Sequence, residues 1–168
     1  MTITVRPARP ADAEALGRMG AALVRQHHGF DARRFMLPED VESGYRWWLG
    51  KELRAKEAVV LVAERDGEVI GYVYGRVEAR DWATLRDRHG GLHDIWVDEG
   101  ARGTGAGTLL AQALLKRFAE LGVPRVILMS AAKNEPAQRF FARLGWRPTM
   151  VEMTREVPEA TPPGSSEG

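Results

Sequence analysis

Residues 92–121 read LHDIWVDEGARGTGAGTLLAQALLKRFAEL, and this stretch decides the fold. Residues 92–97 are mainly apolar and of strand length. Residues 103–121, opened by glycines 103, 105 and 107, then read as a helix with a stripe of Leu109, Leu110, Ala113, Leu114, Phe118 and Leu121, stopped by Gly122 and Pro124. Glycines let a backbone approach a ligand with its N–H groups outward, and a helix start adds partial positive charge. Together they suit an anion such as a phosphate. The same glycines also suit a plain strand-to-helix turn. Two better-known phosphate loops do not fit. A P-loop ends in Gly-Lys-Ser/Thr, but Gly107 is followed directly by Thr108. A dinucleotide fingerprint needs glycine at position 108 or 110, where Thr108 and Leu110 stand.

Outward from this centre, residues 2–6 alternate as a short strand with Ile3 and Val5 apolar. Pro10 suits the first position of a helix carrying Leu16, Met19 and Leu23 to about Gln26, ended by Gly29. Pro38, Glu39 and Asp40 open a second helix with Val41, Tyr45, Trp48, Leu49 and Leu53 on one face. Residues 58–64 and 68–77 are strands around the hairpin signal Asp66-Gly67. Residues 78–90 read as a charged loop, 125–130 as an apolar strand, and 134–144 as a helix capped by Asn134 and stopped by Gly145. Residues 146–157 return as one or two strands. The order β-α-α-β-β-β-α-β-α-β describes an α/β (α+β) domain with an antiparallel middle, over residues 1–157. Residues 158–168 are polar and small and predict a disordered tail.

With 168 residues, the chain can bury about 70% of its unfolded surface and needs no disulfide or metal staple. Its 24 basic and 23 acidic residues leave a charge of +1, without the basic stripe of a nucleic-acid binder. No apolar run nears the roughly 20 residues of a membrane span, and no secretory signal opens the chain. Cysteine is absent, which removes thiolate metal sites and fits a reducing cytoplasm. With four histidines besides, no metal site is expected.

The run Arg102-Gly103-Thr104-Gly105-Ala106-Gly107 resembles the pyrophosphate loop of the GNAT N-acetyltransferase superfamily, whose pattern is met by Arg102, Gly105 and Gly107. Residues 3–12 look like that family's opening strand and turn, and residues 92–97 like its fourth strand. Asn134, Ala137, Phe140, Leu144, Gly145 and Trp146 look like its last helix and following turn. The resemblance runs over residues 2–157. It implies a mixed, mostly antiparallel sheet flanked by helices, with splayed fourth and fifth strands and acetyl-CoA lying between them. It implies that the backbone of Ile95, Trp96 and Val97 holds the pantetheine arm, and that N–H groups from Arg102 to Thr108 hold the pyrophosphate. Asn134 would cap its helix and touch the pantetheine.

The resemblance also implies an amine acceptor, in a small molecule or a protein, which must lose a proton to attack. Family members often carry a glutamate base four residues before the strand's final valine; counting back from Val97 gives His93. Histidine titrates near neutrality and suits a base, or a substrate ligand, as well as a structural role. Asp94 falls on the opposite face by strand alternation, either as a buried paired carboxylate or as a second catalytic group. The family's tyrosine acid, seven residues past the capping asparagine, is replaced by Phe141, which can pack against CoA but cannot donate a proton. An active acetyltransferase and a CoA-binding module with little turnover both remain open. Trp47 lies off its helix stripe, free to line a pocket, form a homodimer contact or be partly buried.

Overall fold

The computed structural model describes residues 2–160. Ile3 and Val5 pack on the core from the outer strand β1 (Ile3–Pro7), antiparallel to β2 (Ala58–Arg65). Asp66 and Gly67 join β2 to β3 (Glu68–Glu78) with φ of 53° and 82°, the positive pair that a type I′ hairpin loop demands. β4 (His89–Val97) is antiparallel to β3, and β5 (Val126–Leu128) is parallel to β4, giving one sheet in the order β1-β2-β3-β4-β5. Helices α1 (Ala13–Phe30) and α2 (Val41–Glu52) precede β2, and α4 (Glu135–Arg143) follows β5. Parallel neighbours need a crossover, which α3 (Ala106–Glu120) supplies between β4 and β5.

Alternation along the strands divides the apolar residues between two layers. Leu61, Val73 and Leu92 face α3, where Leu110, Leu114 and Phe118 meet them. Val60, Val62 and Tyr72 face α1 and α2, where Leu16, Met19 and Leu49 meet them. Each fully buried aliphatic side chain contributes about 1.5–3 kcal/mol. The sheet is thus the mixed, mostly antiparallel one expected, with helices on both faces.

The structure differs from the sequence reading at several edges. β3 and β4 run on through Glu78 and back to His89, so the charged loop shrinks to residues 79–88. The strand expected over 125–130 pairs only at Val126–Leu128. α3 starts at Ala106 because Gly103 and Gly105 take φ of 75° and 90°, outside the helical range. The strands expected over 146–157 are absent. A strand needs a ladder partner, and Pro148 has no N–H to give one. Met150, Val151, Met153 and Val157 stand exposed along this extended segment, whose Glu152 carboxylate accepts from Nε and Nη2 of Arg34 instead. The tail expected over 158–168 lies, from residue 161 on, outside the described residues. Among the described residues no helix is long and apolar enough to cross a membrane.

One close approach sets the layer that carries the site. A Cβ on Gly20 of α1 would fall 1.9 Å from Cδ1 of Tyr45 on α2, so the Tyr45 ring lies directly against the α1 backbone. Gly20→Ala gains about 1 kcal/mol in helix propensity but must displace a packed ring, an overpacking cost of roughly 1–3 kcal/mol. The expected net result, read by urea unfolding, is a loss of up to about 2 kcal/mol.

Candidate functional site

Tyr74 of β3 pairs with Asp94 of β4, yet the next residue, Gly75, pairs with Leu92. His93 is therefore the extra residue of a β-bulge. A bulge breaks the two-residue alternation, and here it turns His93 and Asp94 to the same face. This overturns the expectation of opposite faces. Tyr72, Tyr74 and Glu78 alternate along β3 on that face. Asp94 Oδ2 accepts from Tyr72 Oη at 3.0 Å and from Tyr45 Oη at 3.1 Å. His93 stacks on Tyr74 with centroids 5.5 Å apart, and its Nε2 lies 2.5 Å from Glu78 Oε1.

Asp94 is only 7% exposed. Burial raises its pKa above the ordinary 3.8, against the opposing pull of the tyrosine hydrogen bonds. Burial, together with the Asp94 carboxylate, also raises both phenols. His93, by contrast, opens to solvent. Glu78 reaches a second imidazole as well: its Oε2 lies 3.5 Å from Nε2 of the buried His89, whose Nδ1 bonds the Asp87 carbonyl at 2.8 Å. A Cβ on Gly91 would fall 2.9 Å from both Glu78 Oε1 and His93 Nε2, so any larger residue there must displace the ends of this pair.

The bulge also opens the sheet. β4 and β5 pair at Gly90↔Val126, Gly91↔Ile127 and Leu92↔Leu128, and the last pair immediately precedes His93. Bulges bend and twist the strand that carries them. Beyond Leu92, β4 continues to Val97 while β5 has ended. Ile95, Trp96 and Val97 pair only with Val73, Tyr72 and Gly71 of β3, leaving their other edge without a strand among the described residues. A narrow cleft between β4 and β5 is lined by Glu78, Arg86, His93, Ile127 and Met129.

The glycine loop lies at the far end of β4. Arg102 Nε donates to the Val97 carbonyl at 3.0 Å, and its guanidinium lies 4.9 Å from the Trp96 ring centroid. Thr104 Oγ1 donates to the Ala101 carbonyl at 2.6 Å. Among the described residues the N–H groups of Gly103, Thr104 and Gly105 donate to no backbone carbonyl. The first turn of α3, Ala106 to Thr108, adds the free donors of any helix start.

Asn134 caps α4, its Oδ1 accepting from the Ala137 N–H at 3.3 Å. Phe141, expected against the cofactor, is instead 6% exposed within the core under α3, edge-on to Phe140 and Trp146. The ring beside the glycine loop is its neighbour: a Cβ on Gly107 would touch Phe140 Cζ at 3.4 Å. Trp47 is 68% exposed, with Lys51 Nζ 4.8 Å from its ring centroid. Sequence reasoning missed Tyr45, Tyr74, Glu78, His89 and Gly91. The period-two row Tyr72, Tyr74, Arg76, Glu78 was the signal that could have found the β3 members.

A family model described as "Acetyltransferase (GNAT) family" matches residues 22–146. The chain belongs to the GNAT family. Among GNAT relatives, an N-alpha-acetyltransferase from Sulfurisphaera tokodaii is 33% identical over 124 residues, 70% of this chain and 72% of that protein. A mycothiol acetyltransferase from Thermomonospora curvata is 30% identical over 118 residues, 66% of this chain and 37% of the relative, so the matched region spans little more than a third of that protein. A solved GCN5-related N-acetyltransferase from Ralstonia eutropha superposes with a TM-score of 0.72 at 26% identity, covering 93% of this chain and 99% of the other. AAC(6')-Iy, solved with the bisubstrate analog CoA-S-monomethyl-acetylneamine, shares the fold with a TM-score of 0.74 at 18% identity, covering 94% and 99%.

Because the folded state raises the pKa of Asp94, native protein holds a proton that the unfolded chain releases from about pH 3.8 upward. That contribution to stability is complete below this value and is lost as pH rises toward the folded one. Asp94→Asn keeps an oxygen acceptor for both phenols and cannot ionise. Urea unfolding from pH 4 to 8 should therefore show the variant gaining steadily on the wild type as pH rises.

Proposed function

We propose that this GNAT chain is an N-acetyltransferase that moves the acetyl group of acetyl-CoA to a primary amine of a small molecule or a protein. The observation that carries this reading is the opening of β4 from β5 beside a loop of free N–H groups. The donors from Arg102 to Thr108 suit a pyrophosphate, and the unpaired edge of Ile95, Trp96 and Val97 suits the amide-rich pantetheine arm. Preorganised donors of this kind are often the largest catalytic contribution, and holding amine and thioester together adds to it.

His93 accepts the proton that the amine must lose, since it is the open titratable side chain at the mouth of the β4–β5 cleft. Phe141 lies in the core, so no phenol takes the acid role at that position. A thiolate is a good leaving group at neutral pH and departs without one, thiol pKa values being near 8.5. A depression of about 620 Å³ lined by Glu57, Arg76, Glu78 and Arg88 lies on the far side of Glu78 from His93. Exposed Trp47, Trp82, Met150, Val151 and Met153 support a homodimer, which light scattering tests. The cysteine-free composition accords with work in the cytoplasm.

Two variants test the reading. Gly105→Glu sets a carboxylate where the pyrophosphate sits, at a backbone φ of 90° that side chains resist. Like-charge placement costs several kcal/mol, so calorimetry should show acetyl-CoA affinity falling roughly a hundredfold or more with circular dichroism unchanged. Unchanged affinity would remove the loop from the site. His93→Ala should lower kcat/KM by about 10²–10⁴ and abolish its rise with pH, read by thiol release over a panel of primary amines.

A further inference from the structure

We infer that Glu78 is the positioning residue for proton transfer at His93, acting through the imidazole rather than on the substrate. The inference rests on the reading of His93 as base and assigns it a partner that its own strand does not supply. A carboxylate oxygen only accepts hydrogen bonds, so across 2.5 Å His93 Nε2–H donates to Glu78 Oε1 and keeps its proton. That bond fixes the tautomer and leaves the lone pair on Nδ1, which has no hydrogen-bond partner among the described residues. In the transfer step the amine N–H proton moves to Nδ1. The lone pair of the neutral amine nitrogen forms the new bond to the thioester carbonyl carbon, the N–H pair stays on nitrogen as the amide lone pair, and the C–S bond breaks with its pair on the leaving thiolate. The imidazolium so formed rests against the Glu78 carboxylate.

Three further features hold the pair in register. Gly91 vacates the space between β3 and β4 that the two side chains fill. Tyr74 stacks under the imidazole, and its hydroxyl is anchored to Glu52 Oε2 at 2.8 Å. His89 is oriented by a bond that only its Nδ1–H can make, because the Asp87 carbonyl accepts and cannot donate. This leaves His89 Nε2 facing Glu78 Oε2 at 3.5 Å, where a second proton would pair with the carboxylate. The other charged groups around His93 are Asp94 on β4, Arg86 in the β3–β4 loop and the Arg76–Glu52 pair between β3 and α2. None of them has a hydrogen bond to its ring.

The experiment compares Glu78→Gln, Glu78→Asp and Gly91→Ala with wild type and His93→Ala. Kinetics with acetyl-CoA and a primary-amine panel give kcat, KM and their pH profiles. Imidazole ¹⁵N spectra of the enzyme without substrate read the tautomer, with only four histidines to assign. Expected for Glu78→Gln are a tenfold or larger fall in kcat, amine KM within about twofold and unchanged acetyl-CoA affinity. Neutral His93 should change from Nε2–H alone to a mixture of tautomers, and Glu78→Asp should restore part of both signals. Gly91→Ala, which keeps both groups but forces them apart, should also produce the mixture.

If Glu78→Gln keeps the wild-type kcat, pH profile and tautomer while His93→Ala loses the rise, the positioning role is wrong and the base assignment survives. If His93→Ala itself keeps the wild-type profile, the base assignment fails first. A fall in thermal stability and acetyl-CoA affinity without change in tautomer or pH profile would make Glu78 a structural residue and would also overturn the inference.

Discussion

Between Leu92 and Asp94, β4 carries one residue more than the stretch of β3 it pairs with, and the arrangement of the site follows from that surplus. Before it, Leu92 faces α3; after it, Ile95 and Val97 face α3 again. The two residues between are both turned toward α2, one exposed and one buried. The same bend ends the ladder to β5, so the cleft between the strands and the histidine at its mouth have one cause. Had strict alternation continued from Leu92, Asp94 rather than His93 would have pointed into the layer under α3, and the two would not have shared a face.

The layer beneath α2 is unusually polar for a protein interior. Glu52 and Asp94 are both buried carboxylates; Asp94 is met by two tyrosine hydroxyls, and Glu52 by one together with a 2.6 Å bond from Arg76. A buried charge without such partners would cost far more than these hydrogen bonds return. The aromatic rings form a continuous run, Tyr45 to Trp48 to Tyr74 to His93, each within 5.5 Å of the next. Stacking of this kind limits the rotamers open to the imidazole. Rigidity at His93 thus comes from packing that begins on α1 and α2, far from the cleft in sequence.

Much of this was legible in the chain. Asp66-Gly67 announced its hairpin through turn chemistry, and the glycines before α3 announced their left-handed turn through backbone freedom. Asn134 announced its cap. The bulge was not legible, because Leu92, His93 and Asp94 read equally well as an ordinary alternating strand; only pairing with β3 reveals the extra residue. Phe140 and Phe141 are adjacent and chemically identical, so counting from Asn134 could not say which ring α4 turns inward. The β-like residues after Trp146 misled for the opposite reason. Their local propensity is real, but no ladder is offered to them within the described chain.

The ladder between β4 and β5 has three residue pairs, while β3 and β4 pair along eight. β5 also joins its neighbour across the whole of α3, whereas β2, β3 and β4 follow one another through hairpins. Contacts distant in sequence form late, and sparse ones open first. Amide exchange should therefore be fastest, among the strands, along β5 and the facing edge of β4, with the β2–β4 meander protected to the global limit. The least cooperative seam of the sheet is thus the cleft beside His93, and on the proposed function local opening and thioester access draw on the same weak joint.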